Sequence, residues 1–181
     1  MNLEEILEQL DDVRVRLLEA LVPLPDVVLA QPRAIGEWSL ADVLAHFVNW
    51  EAEMVTALHQ INQGKKPTRL LQALADRDAY NQQRYPEFRG RDLDRIFDDL
   101  QGMRSQLEGW LEEFGDRDLK EPDRFPGLKN KPLWKLIAET SFEHEASHIP
   151  EIEAFVNAWL AKNQSAIAPG DDEVNENGDR P

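Results

Sequence analysis

Four stretches of this chain carry apolar residues at alternating three- and four-residue spacing, and the first three end where proline or glycine breaks the pattern. That spacing follows the 3.6-residue turn of an α-helix, so each stretch builds one apolar stripe that must be buried against another. Residues 3 to 21 hold Leu3, Ile6, Leu7, Leu10, Val13, Leu17 and Leu21 before "VPLP" stops the ladder. A second helix opens at Ser39, whose hydroxyl caps while Asp42 reaches back, and its stripe of Leu40, Val43, Leu44, Phe47, Trp50, Met54, Leu58 and Ile61 ends near Gly64. A third runs from Asp92 to Gly115, and a fourth from about Leu133 to Leu160. Residues 68 to 85 read as a shorter helix, or two turns of one, within a long crossover between the second and third helices.

No segment alternates with period two, so the fold class expected is all-α, a four-helix bundle with a partly helical crossover. No internal repeat is evident. Residues 1 to 162 form the expected domain. The tail from 163 to 181, acidic and poor in large apolar residues, is expected to be disordered. No apolar run approaches the roughly 18 to 20 residues that span a bilayer, and the start "MNLEEILEQLDDV" lacks the basic flank and apolar block of a signal peptide, which predicts a soluble, cytoplasmic protein.

Charge narrows the partners. Thirty-five acidic residues against 20 basic ones give a net charge of -15, which repels nucleic-acid phosphates and anionic membranes and leaves a small molecule as the expected partner. There is no cysteine. Any metal must therefore be held by His, Asp or Glu.

Two of the four histidines, His144 and His148, lie four apart in the last helix. On a continuous helix from Leu133 they fall in the middle of its apolar stripe, close enough together to bind one ion. A third ligand should come from another helix facing the same space, and His46, on the flank of the second stripe, is the candidate. Three neutral imidazoles leave coordination positions open, as a catalytic ion requires. A buried histidine bonded to a carboxylate or carbonyl accounts for the same spacing equally well. His59 reads as a surface residue. Pro150 predicts a bend or wide turn between Ala146 and Pro150. Glu53 and Glu145 flank the histidines by helical position and could orient an imidazole or act as a base, although such glutamates are more often just a solvated face.

The segments "GEWSLADVLAHFVNWE" (36 to 51) and "ETSFEHEASHIPEI" (139 to 152) together resemble the DinB/YfiT-like superfamily of four-helix bundles. Trp38 with Ser39, then His46, then His144 and His148 match that pattern in order. "HFVNWE" and "DAYNQQRY" look most like the ClbS/DfsB branch. The resemblance implies a divalent ion, zinc or nickel before iron, on His46, His144 and His148, and thiol-dependent transferase chemistry with a low-molecular-weight thiol. It equally implies, through the ClbS branch, a metal-independent protein that protects against a reactive metabolite. Asn49, Trp50, Asn81 and Arg84 are candidates for the substrate pocket, although Trp50 also reads as core, and Asn81 and Arg84 also read as ties between the crossover and the bundle. A module that homodimerises through a surplus apolar stripe is a third option.

Overall fold

The computed structural model describes residues 1–164, and within them every regular element is helical apart from an isolated bridge between Ile35 and Trp38. The chain runs through α1 (Leu3–Leu21), α2 (Asp26–Leu29), α3 (Leu40–Asn62), α4 (Thr68–Ala75), α5 (Arg77–Phe88), α6 (Leu93–Leu111), α7 (Asp116–Lys120), α8 (Leu133–Thr140) and α9 (Phe142–Gln164). The all-α class is as expected. The expected disordered tail lies outside the described residues, except that Asn163 and Gln164 still belong to α9. No described helix is long and apolar enough to cross a membrane.

Four rods make up the body: α1, α3, α6 and the α8–α9 pair. Packing is strongest between α3 and α6 and between α1 and α9. Their stripes meet in two apolar clusters, one around Met54, Leu107 and Leu136 and the other around Leu44, Leu100 and Ile152. At roughly 1.5 to 3 kcal/mol for each large apolar side chain fully buried, these clusters drive the fold.

Local chemistry fixes where the rods begin. Asn2 caps α1 by accepting from the Glu5 N–H while Glu5 reaches back, and Ser39 with Asp42 does the same for α3. The crossover holds two helices rather than one. Asp76 breaks the run in an extended conformation, and its carboxylate then caps α5 by accepting from the Ala79 N–H at 3.1 Å. The third rod stops at Leu111 and not at Gly115, which instead opens the short α7.

The last rod differs from the single kinked helix expected. Its ladder is interrupted at Ser141 (φ -130, ψ -103), nine residues ahead of the proline, while α9 continues through Pro150. Serine and threonine chemistry explains the break. Thr140 Oγ1 donates to Leu136 O at 2.9 Å and Ser141 Oγ donates to Ile137 O at 2.6 Å, occupying the carbonyls that end α8.

The structure also brings out a correspondence between the halves of the chain. Buried Ile6, Leu10, Arg14, Leu17 and Leu21 of α1 recur with the same spacing as buried Ile96, Leu100, Arg104, Leu107 and Leu111 of α6. Both helices are 19 residues long, both start on a side-chain cap, and each is followed by one short helix. Leu40, Val43, Leu44 and Ala45 at the start of α3 likewise match Leu133, Leu136, Ile137 and Ala138 of α8, all buried. The sequence hides this because the shared residues are mostly those any amphipathic helix would use.

Candidate metal centre

The interruption at Ser141 resets the rotation of α9 relative to α8, so the stripe of α9 is Phe142, Glu145, Ile149, Ile152 and Val156. His144 and His148 therefore sit half-buried on its flank and not in its middle. His46 is displaced in the opposite sense. Expected on a flank, it is 1% exposed, in the second turn of α3. The expected grouping holds: ligand nitrogens of His46, His144 and His148 lie within 4.8 Å of one another and could hold a metal ion.

Nε2 of His46 and Nε2 of His144 are 3.0 Å apart, and the rings meet edge to face with centroids 4.8 Å apart. The His148 ring lies 5.7 Å from that of His46 and 5.1 Å from that of His144. Aromatic walls enclose the group. Phe47 stands 5.5 and 5.3 Å from the His144 and His148 rings, and Trp50 lies 5.7 Å from His144. Trp38 presents an edge 5.1 Å from His46 while its face stacks on Tyr85 at 5.2 Å.

These walls set the protonation state. Burial, reinforced by the neighbouring His148, depresses the His46 imidazolium to about pKa 3. Burial first, and then His46, His148 and Arg77, hold His144 well below the ordinary value. Burial lowers His148 too, against the opposing pull of Glu151. All three rings are neutral at pH 7, the state in which imidazole offers a lone pair to an ion.

The donor set fits a divalent cation. Two nitrogens held by one ion at 2.0 to 2.1 Å sit about 2.9 to 3.4 Å apart, depending on the angle between them, which matches the His46–His144 spacing. A histidine buried for structure alone has both nitrogens satisfied. Here, among the described residues, Nδ1 of His46 is buried with no hydrogen-bond partner, and its Nε2 meets another histidine. No carboxylate or carbonyl among the described residues is bonded to this ring, whose Nε2 is paired with His144 instead. His144 and His148 are half-buried, whereas His46 is fully buried.

The four pocket candidates hold one another. Trp50, 2% exposed, donates from Nε1 to Asn81 Oδ1 at 3.1 Å. Asn49 accepts from Arg84 Nε and Nη2 at 3.1 and 3.0 Å and donates to the Tyr80 hydroxyl at 3.0 Å. They tie α5 to α3 beside the histidines, and Trp50 touches both the tie and the cluster. Tyr80 extends the network by donating to Glu53 at 2.9 Å, and burial with the Glu53 carboxylate pushes its hydroxyl up to about 12. His59 is exposed, as expected.

Glu53 and Glu145 are not solvated. Glu53 is 5% exposed and bonded to Arg69 and Tyr80, and Glu145 is 1% exposed. Glu145 belongs to a buried set with Arg14, Glu51 and Arg104 that the sequence reading missed. The available signal is that Arg14 and Arg104 each lie four residues after one stripe leucine and three before the next.

A model of the DinB superfamily matches residues 9–152, a span that contains all three histidines and this buried set. No curated protein and no solved structure matches the chain. With its family model covering most of the sequence and its three histidines gathered as described, the chain belongs to the DinB superfamily.

Proposed function

We propose that this chain is a metal-dependent small-molecule enzyme, a transferase or hydrolase built on a four-helix bundle, with zinc or nickel, and iron as the third choice, held by His46, His144 and His148. The observation that carries it is the gathering of three neutral, ligand-ready imidazoles, two of them half-exposed. A divalent ion there supplies Lewis acidity, which makes a weak acid such as water or a thiol easier to deprotonate. The protein's own groups do the rest. Phe47, Trp38 and Trp50 keep bulk water from the buried side, and half-buried His144 and His148 present the other side. Asn81, bonded to Trp50, and Asn49, bonded to Arg84, edge the path a substrate would take. The chain has no thiol of its own, so a thiol-dependent reaction draws it from a low-molecular-weight cosubstrate.

The test is transfer of a small thiol to an electrophilic acceptor by zinc- or nickel-loaded protein, with His46→Ala as control. Turnover lost in the variant supports the reading. Equal rates in both, at equal metal, would overturn it.

A second reading follows from the His46–His144 hydrogen bond, which pairs those two rings without an ion. It takes the chain as a metal-independent protection protein of the ClbS/DfsB kind, acting on a reactive metabolite in the same groove. Retention of a bound electrophile after complete chelation of metal would favour it. Homodimerisation is a further proposal, supported by exposed Val15 and Leu18 on α1 with Val22 just beyond its end and tested by sedimentation.

A further inference from the structure

Midway along the rods, each one gives a single charged residue to a buried quartet: Arg14 from α1, Glu51 from α3, Arg104 from α6 and Glu145 from α9. None is more than 9% exposed. Both carboxylates accept from both arginines. Glu145 takes Arg14 Nε at 3.1 Å and Nη2 at 2.5 Å, together with Arg104 Nη2 at 2.9 Å. Glu51 Oε1 takes Arg14 Nη2 at 3.1 Å and Arg104 Nε at 2.9 Å.

The quartet repeats the correspondence of the two halves. Arg14 and Arg104 are matched positions, and each donates to a carbonyl of the other's helix at matched leucines, Arg14 Nη1 to Leu100 O at 3.2 Å and Arg104 Nη1 to Leu10 O. Glu51 and Glu145 face this pair from α3 and α9. Each guanidinium thus spans the two helices that carry the histidines.

Stability is a poor explanation for such a set. Removing four charges from water costs about what their attraction returns, and apolar replacements of similar size are often neutral or better. Among the described residues, Glu51 Oε2 is also left buried with no partner. What the quartet does fix is geometry. Glu145 is the residue after His144, and Glu51 follows His46 on α3 by less than two turns. A bidentate arginine holds the rotation of α9 at Glu145 more tightly than apolar contact, which permits sliding.

We propose that Arg14, Glu51, Arg104 and Glu145 are positioning residues for the histidine cluster, setting the register and separation of α3 and α9 so that His46 and His144 meet. Its functional meaning rests on the metal-centre reading, whereas the positioning itself is measurable without metal. The experiment compares the wild type with two variants. The first, Arg14→Met/Glu51→Leu/Arg104→Met/Glu145→Leu, removes the quartet while keeping its bulk. The second, Arg104→Lys, keeps the charge but cannot span Glu51, Glu145 and Leu10 O at once. Thermal unfolding reports the fold, chelator competition gives zinc affinity, and trans-hydrogen-bond 15N–15N coupling reports the His46–His144 contact in metal-free protein.

The apolar variant should fold with a Tm equal to or above that of the wild type, yet bind zinc at least tenfold more weakly and lose the coupling. Arg104→Lys should weaken zinc binding several-fold and reduce the coupling. A folded variant of either kind with unchanged zinc affinity and unchanged coupling would overturn the proposal. If the apolar variant does not fold, Arg104→Lys decides. If the wild type itself binds no zinc, the metal reading fails and the coupling alone decides the positioning.

Discussion

Nε2 of His46 and Nε2 of His144 face each other at 3.0 Å from different rods, in a site whose walls are aromatic. In metal-free protein at neutral pH, one ring donates and the other accepts. Protonating either ring puts a charge into a desolvated site, and protonating the acceptor ring at Nε2 also sets two donors against each other.

Acid should therefore unfold the metal-free protein early. The His46 value of about 3 lies below the unfolded value near 6.5, and His144 and His148 are shifted in the same direction. Between those limits the unfolded chain binds more protons than the folded one, so stability is full above about pH 6.5 and falls as the pH drops toward 3. Thermal unfolding from pH 7.5 to 4.5 should show Tm falling through this window, and less steeply in His46→Phe. Equal slopes in the two proteins would contradict the assignment.

Metal at this centre should be visible in tryptophan emission. Trp38 lies 5.1 Å from His46 and Trp50 lies 5.7 Å from His144. Titration with nickel or cobalt, which quench nearby indoles, should lower the emission in a saturable way with one equivalent. Trp38→Phe should lose part of this quench. Emission unchanged in the wild type would place any bound ion elsewhere.

Pro150 gives a prediction opposite to the one its type suggests. It is exposed, and α9 passes through it without a break, so Pro150→Ala only restores a missing N–H donor to Ala146 O. Stability should rise by about 1 to 3 kcal/mol, read from urea unfolding. A loss of stability would mean that the proline shapes the rod after all.

How much of this was legible in the sequence depends on what carries the information. The rods were legible because their stripes are periodic, and the Ser39 and Asp42 cap was legible because capping is local. The three histidines could be gathered because helix spacing and one facing rod suffice. The burial of His144 and His148 was misjudged because the break at Ser141 rests on two side-chain-to-carbonyl bonds that no periodicity predicts, and one residue out of phase moves a side chain by about 100°. Glu145 was misread for the same reason. On a continuous helix it falls beside the stripe, whereas after the break it lies in it. Arg14 and Arg104 were missed because a charge inside an apolar stripe makes sense only once its partners on the other rods are known.

Removing one member of the quartet should cost far more than removing all of it. Glu145→Ala leaves two buried guanidinium groups to share the single carboxylate of Glu51, and a loss of about 3 to 5 kcal/mol is expected in chemical unfolding. A loss below about 1 kcal/mol would show that the arginines find water or other partners, and that the set is looser than its bonds suggest.

The central claim is that His46, His144 and His148 hold a divalent ion. Elemental mass spectrometry on untagged protein, beside His148→Ala prepared in the same way, tests it most directly. Near one equivalent of zinc, nickel or iron in the wild type, absent from a folded His148→Ala, is the predicted result. A wild type with no metal, even after soaking with zinc and nickel at neutral pH, would contradict it.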